Sequence, residues 1–235
     1  CPLSMTDSLT RTLTKFGDEK LVEKFFDQLT SQDLDHLFQG AMFMTEQHAG
    51  SDVGSIDTFA DFEDGNWFLT GDKWFCSNPD ADLAMVLARH NKKISGTKGL
   101  ALFLLPKTLE NGDPNNYEII RLKDKLGGRS FASGEIRLNR AFAYLVGNPN
   151  EGFKQMTDMI NMSRLSNGVR ASGMMQRCFQ ESLFISNTRH AFNKKLIDLP
   201  LMQKQLLKML VITEASRSII FKAADLLLSL IHISE

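Results

Sequence analysis

Two stretches of this chain hold hydroxyls, a small-residue turn and an aromatic ring at spacings that could grip a phosphate and a planar ring. The first is Met42 to Ser55, M-F-M-T-E-Q-H-A-G-S-D-V-G-S. Its apolar run, Ala41 to Met44, breaks at Thr45 into a polar loop with a turn at Ala49-Gly50-Ser51 and a turn former at Asp52. Such a turn aims several N–H groups the same way and makes an anion-binding concavity, to which Thr45 and Ser51 add hydroxyls. Gly50 has no side chain to keep a phosphate or ring from the backbone. The second stretch is Gly71 to Asn78, G-D-K-W-F-C-S-N. Phe75 and Ser77 are two apart, so on a strand the ring and the hydroxyl share a side. On residues alone, each stretch also reads as a plain element: a solvated turn, and a strand with one face in the core.

The elements that would position these residues follow from periodicity. Residues 1–40 read as helical, with Leu21, Phe25 and Leu29 on one stripe. Thr30 with Asp33 reads as a capping box that starts a further helix carrying Leu34, Leu37 and Phe38. From residue 41 the period becomes two. Ile56–Glu63 and Trp67–Phe75 flank Asp64-Gly65-Asn66, a hairpin signal. Leu83–Ala88, Gly99–Leu105 and Arg129–Leu138 add strand-length runs. Residues 41–150 therefore read as a compact antiparallel β domain with barrel-like or sandwich-like closure. No G-x-G-x-x-G follows a strand, so a Rossmann dinucleotide site is not supported. Helical period returns after Glu151-Gly152-Phe153, is interrupted at Arg189–Asn193 and resumes at Pro200. The fold class expected is α+β, divided into 1–40, 41–150 and 151–235.

Composition narrows the field further. The chain of 235 residues is 43% hydrophobic with a net charge of −1, so no overall field draws it to nucleic acid or a membrane surface. Cys1, Cys76 and Cys178 have no metal-ligand spacing, and a reduced cytoplasmic setting is the expectation. No charged-then-apolar leader and no membrane-length apolar run is present.

Thr45 to Asp52, T-E-x-x-x-G-S-D, resembles the flavin-binding signature of the acyl-CoA dehydrogenase family. Gly71–Asn78 is similar to the G-x-K-x-W-I-T-N segment of that family, with Phe75 in the aromatic position, Cys76 next and Ser77 as the hydroxyl. Lys125–Ser130, K-L-G-G-R-S, resembles the K-L-G-x-R segment, where glycines set a tight turn and the Arg orders the domain. Longer runs at Lys73–Asp82, Arg121–Glu135 and Arg189–Met202 resemble the bacterial alkylation-response (AidB-like) branch. The resemblance spans nearly the whole chain but part of the family's length, and the first residue is Cys rather than Met.

The resemblance implies FAD as cofactor and Cα–Cβ oxidation of an acyl thioester by the complete protein. Met44 and Thr45 are then expected at the flavin ring, Gly50 and Ser51 at the pyrophosphate, Phe75 stacked on the isoalloxazine with Cys76 beside it, and Ser77 near N5. Arg189 and Phe192 match an R-x-x-F that reaches the FAD of a neighbouring subunit, which implies a homo-oligomer. Asn193 stands where the family usually has Gly, and Pro200 where it usually has a Gln. Arg164 is the expected substrate contact. Ser163 occupies the position where one subset carries its Glu base, and Asn161 replaces a substrate-contacting Asp. The larger subset carries its base later, so no catalytic base is expected within these residues, and the chain alone is expected to be inactive. The alternative is a DNA-associated flavoprotein of the alkylation response with little acyl-CoA turnover, its DNA contact lying in a distal C-terminal part. The final eight residues, L-S-L-I-H-I-S-E, leave the amphipathic pattern and resemble translated sequencing adapter, so they are expected to pack no better than a frayed end.

Overall fold

A computed structural model describes residues 2–233, and their side chains as far as residue 229. Cys1 and most of the final eight residues' side chains therefore lie outside the described residues. The chain divides into two compact units, Cys1–Met162 and Ser163–Glu235.

The first unit opens with helices α1 (Pro2–Phe16) and α2 (Glu19–Thr30). Asp18 caps α2 by accepting from the Leu21 amide at 3.0 Å, and Leu21, Phe25 and Leu29 are buried as their spacing requires. The helix expected from Thr30 does not form. Thr30 instead ends α2, its hydroxyl donating to the Phe26 carbonyl, and Leu34 is 84% exposed in a run of turns. The Thr30 and Asp33 pattern marks a helix exit, where Ser31 and Asp33 bond each other.

Seven strands follow: β1 (Gly40–Phe43), β2 (Phe59–Glu63), β3 (Asn66–Ser77), β4 (Leu83–Arg89), β5 (Leu100–Pro106), β6 (Tyr117–Leu122) and β7 (Ser133–Val146). Pairings β1–β3, β3–β7, β7–β5, β5–β4 and β4–β1 close into a barrel, with β2 alongside β3 and β6 on the outer side of β7. The barrel is not purely antiparallel as expected, because β1 runs parallel to β4 after the β2–β3 hairpin carries the chain across. The hairpin turn at Asp64-Gly65 has φ of 49° and 82°, the left-handed pair that Asp-Gly accommodates.

Two cores lie on either side of this wall. Ala84, Val86, Ala88, Ala101 and Phe103 face the barrel interior, while Leu83, Met85, Leu87, Leu100 and Leu102 meet α1, α2 and the start of the next helix. β4 and β5 are thus buried on both faces, which is why their sequence is a continuous apolar run rather than an alternating one. β6 shows the converse. Its residues are mostly exposed, so no core periodicity marked it in the sequence. β7 starts at Ser133 rather than Arg129 and runs on to Val146.

Helix α3 (Gly152–Thr188) buries Met156 and Met159 in the first unit's core, as flexible apolar filler. From Ser163 it belongs to the second unit, with a short hairpin, β8 (His190–Ala191) and β9 (Lys194–Lys195), and α4 (Pro200–Ile233). Gly168 lets the second unit's helices approach: a Cβ there would sit 2.4 Å from Ile220. Gln203 and Lys204 are exposed as expected, Leu206 is buried, and Leu228 is exposed near the end of α4. No described helix is long and apolar enough to cross a membrane.

Candidate cofactor site

The site is organised by one irregularity in β3. Lys73 pairs with Ile136 and Cys76 with Gly134, so Trp74 and Phe75 together oppose Glu135 alone. This bulge resets the alternation. Lys73 and Cys76 both point into the core, while Trp74, Phe75 and Ser77 look outward. Phe75 and Ser77 therefore do share a face, and Phe75 is left 55% exposed. The Cys76 thiol is on the other side of the strand, among Phe43, Ile136 and Leu138. Burial pushes that thiol up to about 12, against the opposing pull of Lys73 and Lys123, so it stays protonated and unreactive at neutral pH.

The Thr45 loop is locked to the same strand. Met42 pairs with Ser77, and the Thr45 carbonyl accepts from the Trp74 amide at 2.8 Å. Beneath them the fully buried Lys73 ammonium donates to Glu46 Oε1 at 2.8 Å and to the Met44 carbonyl at 3.3 Å. Glu46 also accepts from the amides of Asp57 at 2.7 Å and Thr58 at 3.1 Å. Burial alone would push the Glu46 carboxyl up, but Lys73 and these donors more than offset it and hold it below its ordinary range. Sequence reading missed this pair. The signal was present, since Leu69, Gly71 and Lys73 fall on one face of a strand, and a lysine on a core face requires a carboxylate. Further along the loop, Asp52 accepts from the Gly54 amide at 3.1 Å and ends the turn in which Gly50 and Ser51 stand exposed.

The third motif reaches this place through β7. Ser77 pairs with Ser133, and the Asn78 amide donates to the Ala132 carbonyl at 3.1 Å. Gly128, with φ of 63°, closes a turn in which the Phe131 amide donates to its carbonyl at 3.0 Å. Arg129 does not order the domain as expected. Exposed, it donates to the Lys125 carbonyl at 2.8 Å and pairs with Asp124 at 3.5 Å, both contacts within its own loop.

A cluster of charge and aromatic rings went unnoticed in the sequence because its members come from three strand regions. Buried Glu135 accepts from Arg121 Nε at 2.9 Å and from Lys123 Nζ at 2.6 Å. The Lys123 ammonium lies 3.2 Å from the Trp74 ring centroid and 4.5 Å from that of Phe75. A groove of about 560 Å³ opens on the Trp74 side, lined by Glu46, His48, Asp57, Trp74 and Arg137 among others. Phe75 and Ser77 do not line this groove, and the Phe75 ring stands on the outward face of β3.

The remaining expected residues lie in the second unit. Arg189 follows α3, and Phe192, 88% exposed, occupies the hairpin turn with Asn193. Both have positive φ, 52° and 59°. The Asn at the usual Gly position thus keeps the left-handed turn, since Asn tolerates that region better than other side chains. Ser163 is buried in α3 and Arg164 exposed beside it.

Residues 41–141 match the model of the acyl-CoA dehydrogenase middle domain, and residues 150–231 that of the acyl-CoA dehydrogenase C-terminal domain. The chain belongs to the acyl-CoA dehydrogenase family. It is 36% identical to acyl-CoA dehydrogenase family member 11 of Caenorhabditis elegans over 97% of this chain and 38% of that protein. It is 34% identical to AidB of Escherichia coli over 95% of this chain and 42% of that one. Among solved structures, C. elegans ACDH-11 in complex with C11-CoA superposes with a TM-score of 0.88 at 36% identity, covering 97% of this chain and 40% of that one. The chain thus spans about two fifths of the length of these relatives.

Proposed function

We propose that this chain supplies the flavin platform of an FAD-dependent oxidoreductase that acts on acyl-CoA thioesters. The observation that carries the reading is the bulge in β3, which sets an open aromatic ring, Phe75, beside an outward hydroxyl, Ser77, on a strand bonded to both the Thr45 loop and the Lys125 loop. A planar ring system fits such a wall: covering Phe75 removes exposed aromatic surface, and the Ser77 hydroxyl can donate to or accept from the ring edge. The pyrophosphate end fits the small-residue turn at Gly50 and Ser51.

When bound, FAD supplies the acceptor for the hydride removed from the thioester. The chain's own residues do the rest. Phe75 would stack against the ring, Ser77 would hydrogen-bond its polar edge, and the Lys73–Glu46 pair anchors the Thr45 loop beside them. Arg164 is proposed as a substrate contact. The exposed Phe192 on its tight turn, with Arg189 before it, supports a homo-oligomer in which this hairpin meets a neighbouring copy's cofactor.

The test is a titration with FAD of the wild type and of Ser77→Ala. One hydrogen bond at a polarised edge is typically worth ~1 kcal/mol, so the variant is expected to bind about fivefold more weakly. Equal affinity for the two would remove Ser77 from the site.

A further inference from the structure

We propose that Lys123 is a positioning residue of the cofactor wall: it clamps the bulged Trp74–Phe75 pair and holds one net positive charge against the platform, favouring the electron-rich state of whatever ring system lies there. The inference rests on the flavin reading above and adds an electrostatic function to a residue within the Arg121–Glu135 run, to which the resemblance assigns no role.

The geometry is specific. Lys123 follows the end of β6, and its amide donates to the Ser133 carbonyl at 2.7 Å, which fixes the backbone beside β7. Its side chain is only 10% exposed, and the ammonium sits over Trp74 and within reach of Phe75. Two cations, Arg121 and Lys123, share the single carboxylate of Glu135. The cluster therefore keeps one positive charge. Arg121 is largely exposed and Lys123 is not, so solvent screens the share of that charge at Lys123 less than the share at Arg121. The ammonium is 4.5 Å from the centre of the Phe75 ring, so a ring system lying on Phe75 falls within about one Debye length, ~8–10 Å, of a charge that solvent screens poorly. Trp74 gives the ammonium a second hold through its π-face. The bulge makes this possible: without the extra residue, Trp74 and Phe75 would face opposite ways and one cation could not reach both.

A merely structural clamp and an electrostatic one make different predictions. Lys123→Met removes a positive charge, while Glu135→Gln removes the negative charge that offsets it. Both loosen the cluster, but they change its charge in opposite directions. The experiment measures dissociation constants of the chain for oxidised and for dithionite-reduced FAD in wild type, K123M, K123R and E135Q, with near-ultraviolet circular dichroism as the check on folding. In K123M the affinity for reduced FAD should fall about tenfold more than that for oxidised FAD, equivalent to a potential lowered by ~30 mV for a two-electron couple. E135Q should move the ratio the other way, and K123R should stay near wild type. If K123M does not fold, the E135Q and K123R arms still decide, since E135Q must raise the reduced-to-oxidised preference. Equal losses for both redox states, or shifts of the same sign in K123M and E135Q, would overturn the proposal and leave Lys123 a structural clamp. A wild type that binds neither form would instead overturn the flavin reading itself, and the inference with it.

Discussion

Lys73 is buried beneath the Thr45 loop with Glu46 as its charged partner, and that ion pair is one of the contacts that join the first motif to the second. Removing one member of a buried pair leaves an uncompensated charge, which typically costs ~3–5 kcal/mol. Lys73→Met should therefore lower the melting temperature sharply, and adding Glu46→Gln should recover part of the loss; thermal denaturation of the single and double variants checks this. The sign with pH follows from Glu46. Against the push of burial, Lys73 and the Asp57 and Thr58 amides hold its carboxyl below the ordinary glutamate range in the folded chain, so its contribution is complete above that range and is lost as pH falls through the folded value. Stability should hold from neutral pH to about 5 and then decline, with a shallower acid limb in Glu46→Gln. Equal acid limbs would mean that the pair is not the acid-sensitive contact. At this scale the sequence was readable in part. Phe75 and Ser77 were placed on one face by their spacing, but that Cys76 shares the core side with Lys73 follows from a bulge that spacing does not reveal.

Among the elements, the bulge in β3 and the β8–β9 hairpin do the positioning. The hairpin turn at Phe192 and Asn193 needs two left-handed residues, and a β-branched side chain is poorly suited to that region. Asn193→Gly should be neutral or slightly stabilising, while Asn193→Val should destabilise by roughly 1–2 kcal/mol, visible as a lower urea midpoint. Equal midpoints for the two would show that the turn is not under that constraint. The same comparison explains what the sequence could and could not give. Asp64-Gly65 announced the β2–β3 hairpin because its turn residues are diagnostic. β4 and β5 were visible as apolar runs because both faces are covered. β6 was not visible, since an outer strand with exposed side chains has no core face to report. The supposed helix from Thr30 failed for a related reason: a capping pattern without a buried stripe is only a turn.

For the molecule as a whole, the change of period from helix to strand and back located the barrel within 41–150, and the proposed platform rests on three motifs that the fold brings onto it. What period could not tell was that residues 1–40 share one core with the barrel strands, since each half of that core looks complete by itself. The chemistry is divided as well. The proposed wall would hold a cofactor, but the resemblance puts Ser163 where one subset of the family has its proton-abstracting Glu, and a serine cannot take an α-proton as a carboxylate does. The 235-residue chain is therefore expected to give no dye reduction with a panel of acyl-CoAs. Turnover comparable to that of complete family members would mean that a carboxylate such as Asp158 or Glu181 has been undervalued.

The central claim is that the bulged face of β3 is a flavin wall, and the most direct measurement is retention of FAD by the purified protein. After incubation with excess FAD and gel filtration, the wild type should elute yellow, with flavin absorbance in proportion to protein, and Phe75→Ala should lose most of that absorbance while keeping its fold by far-ultraviolet circular dichroism. A wild type that elutes colourless, or a Phe75→Ala variant that retains as much flavin as the wild type, would contradict the account.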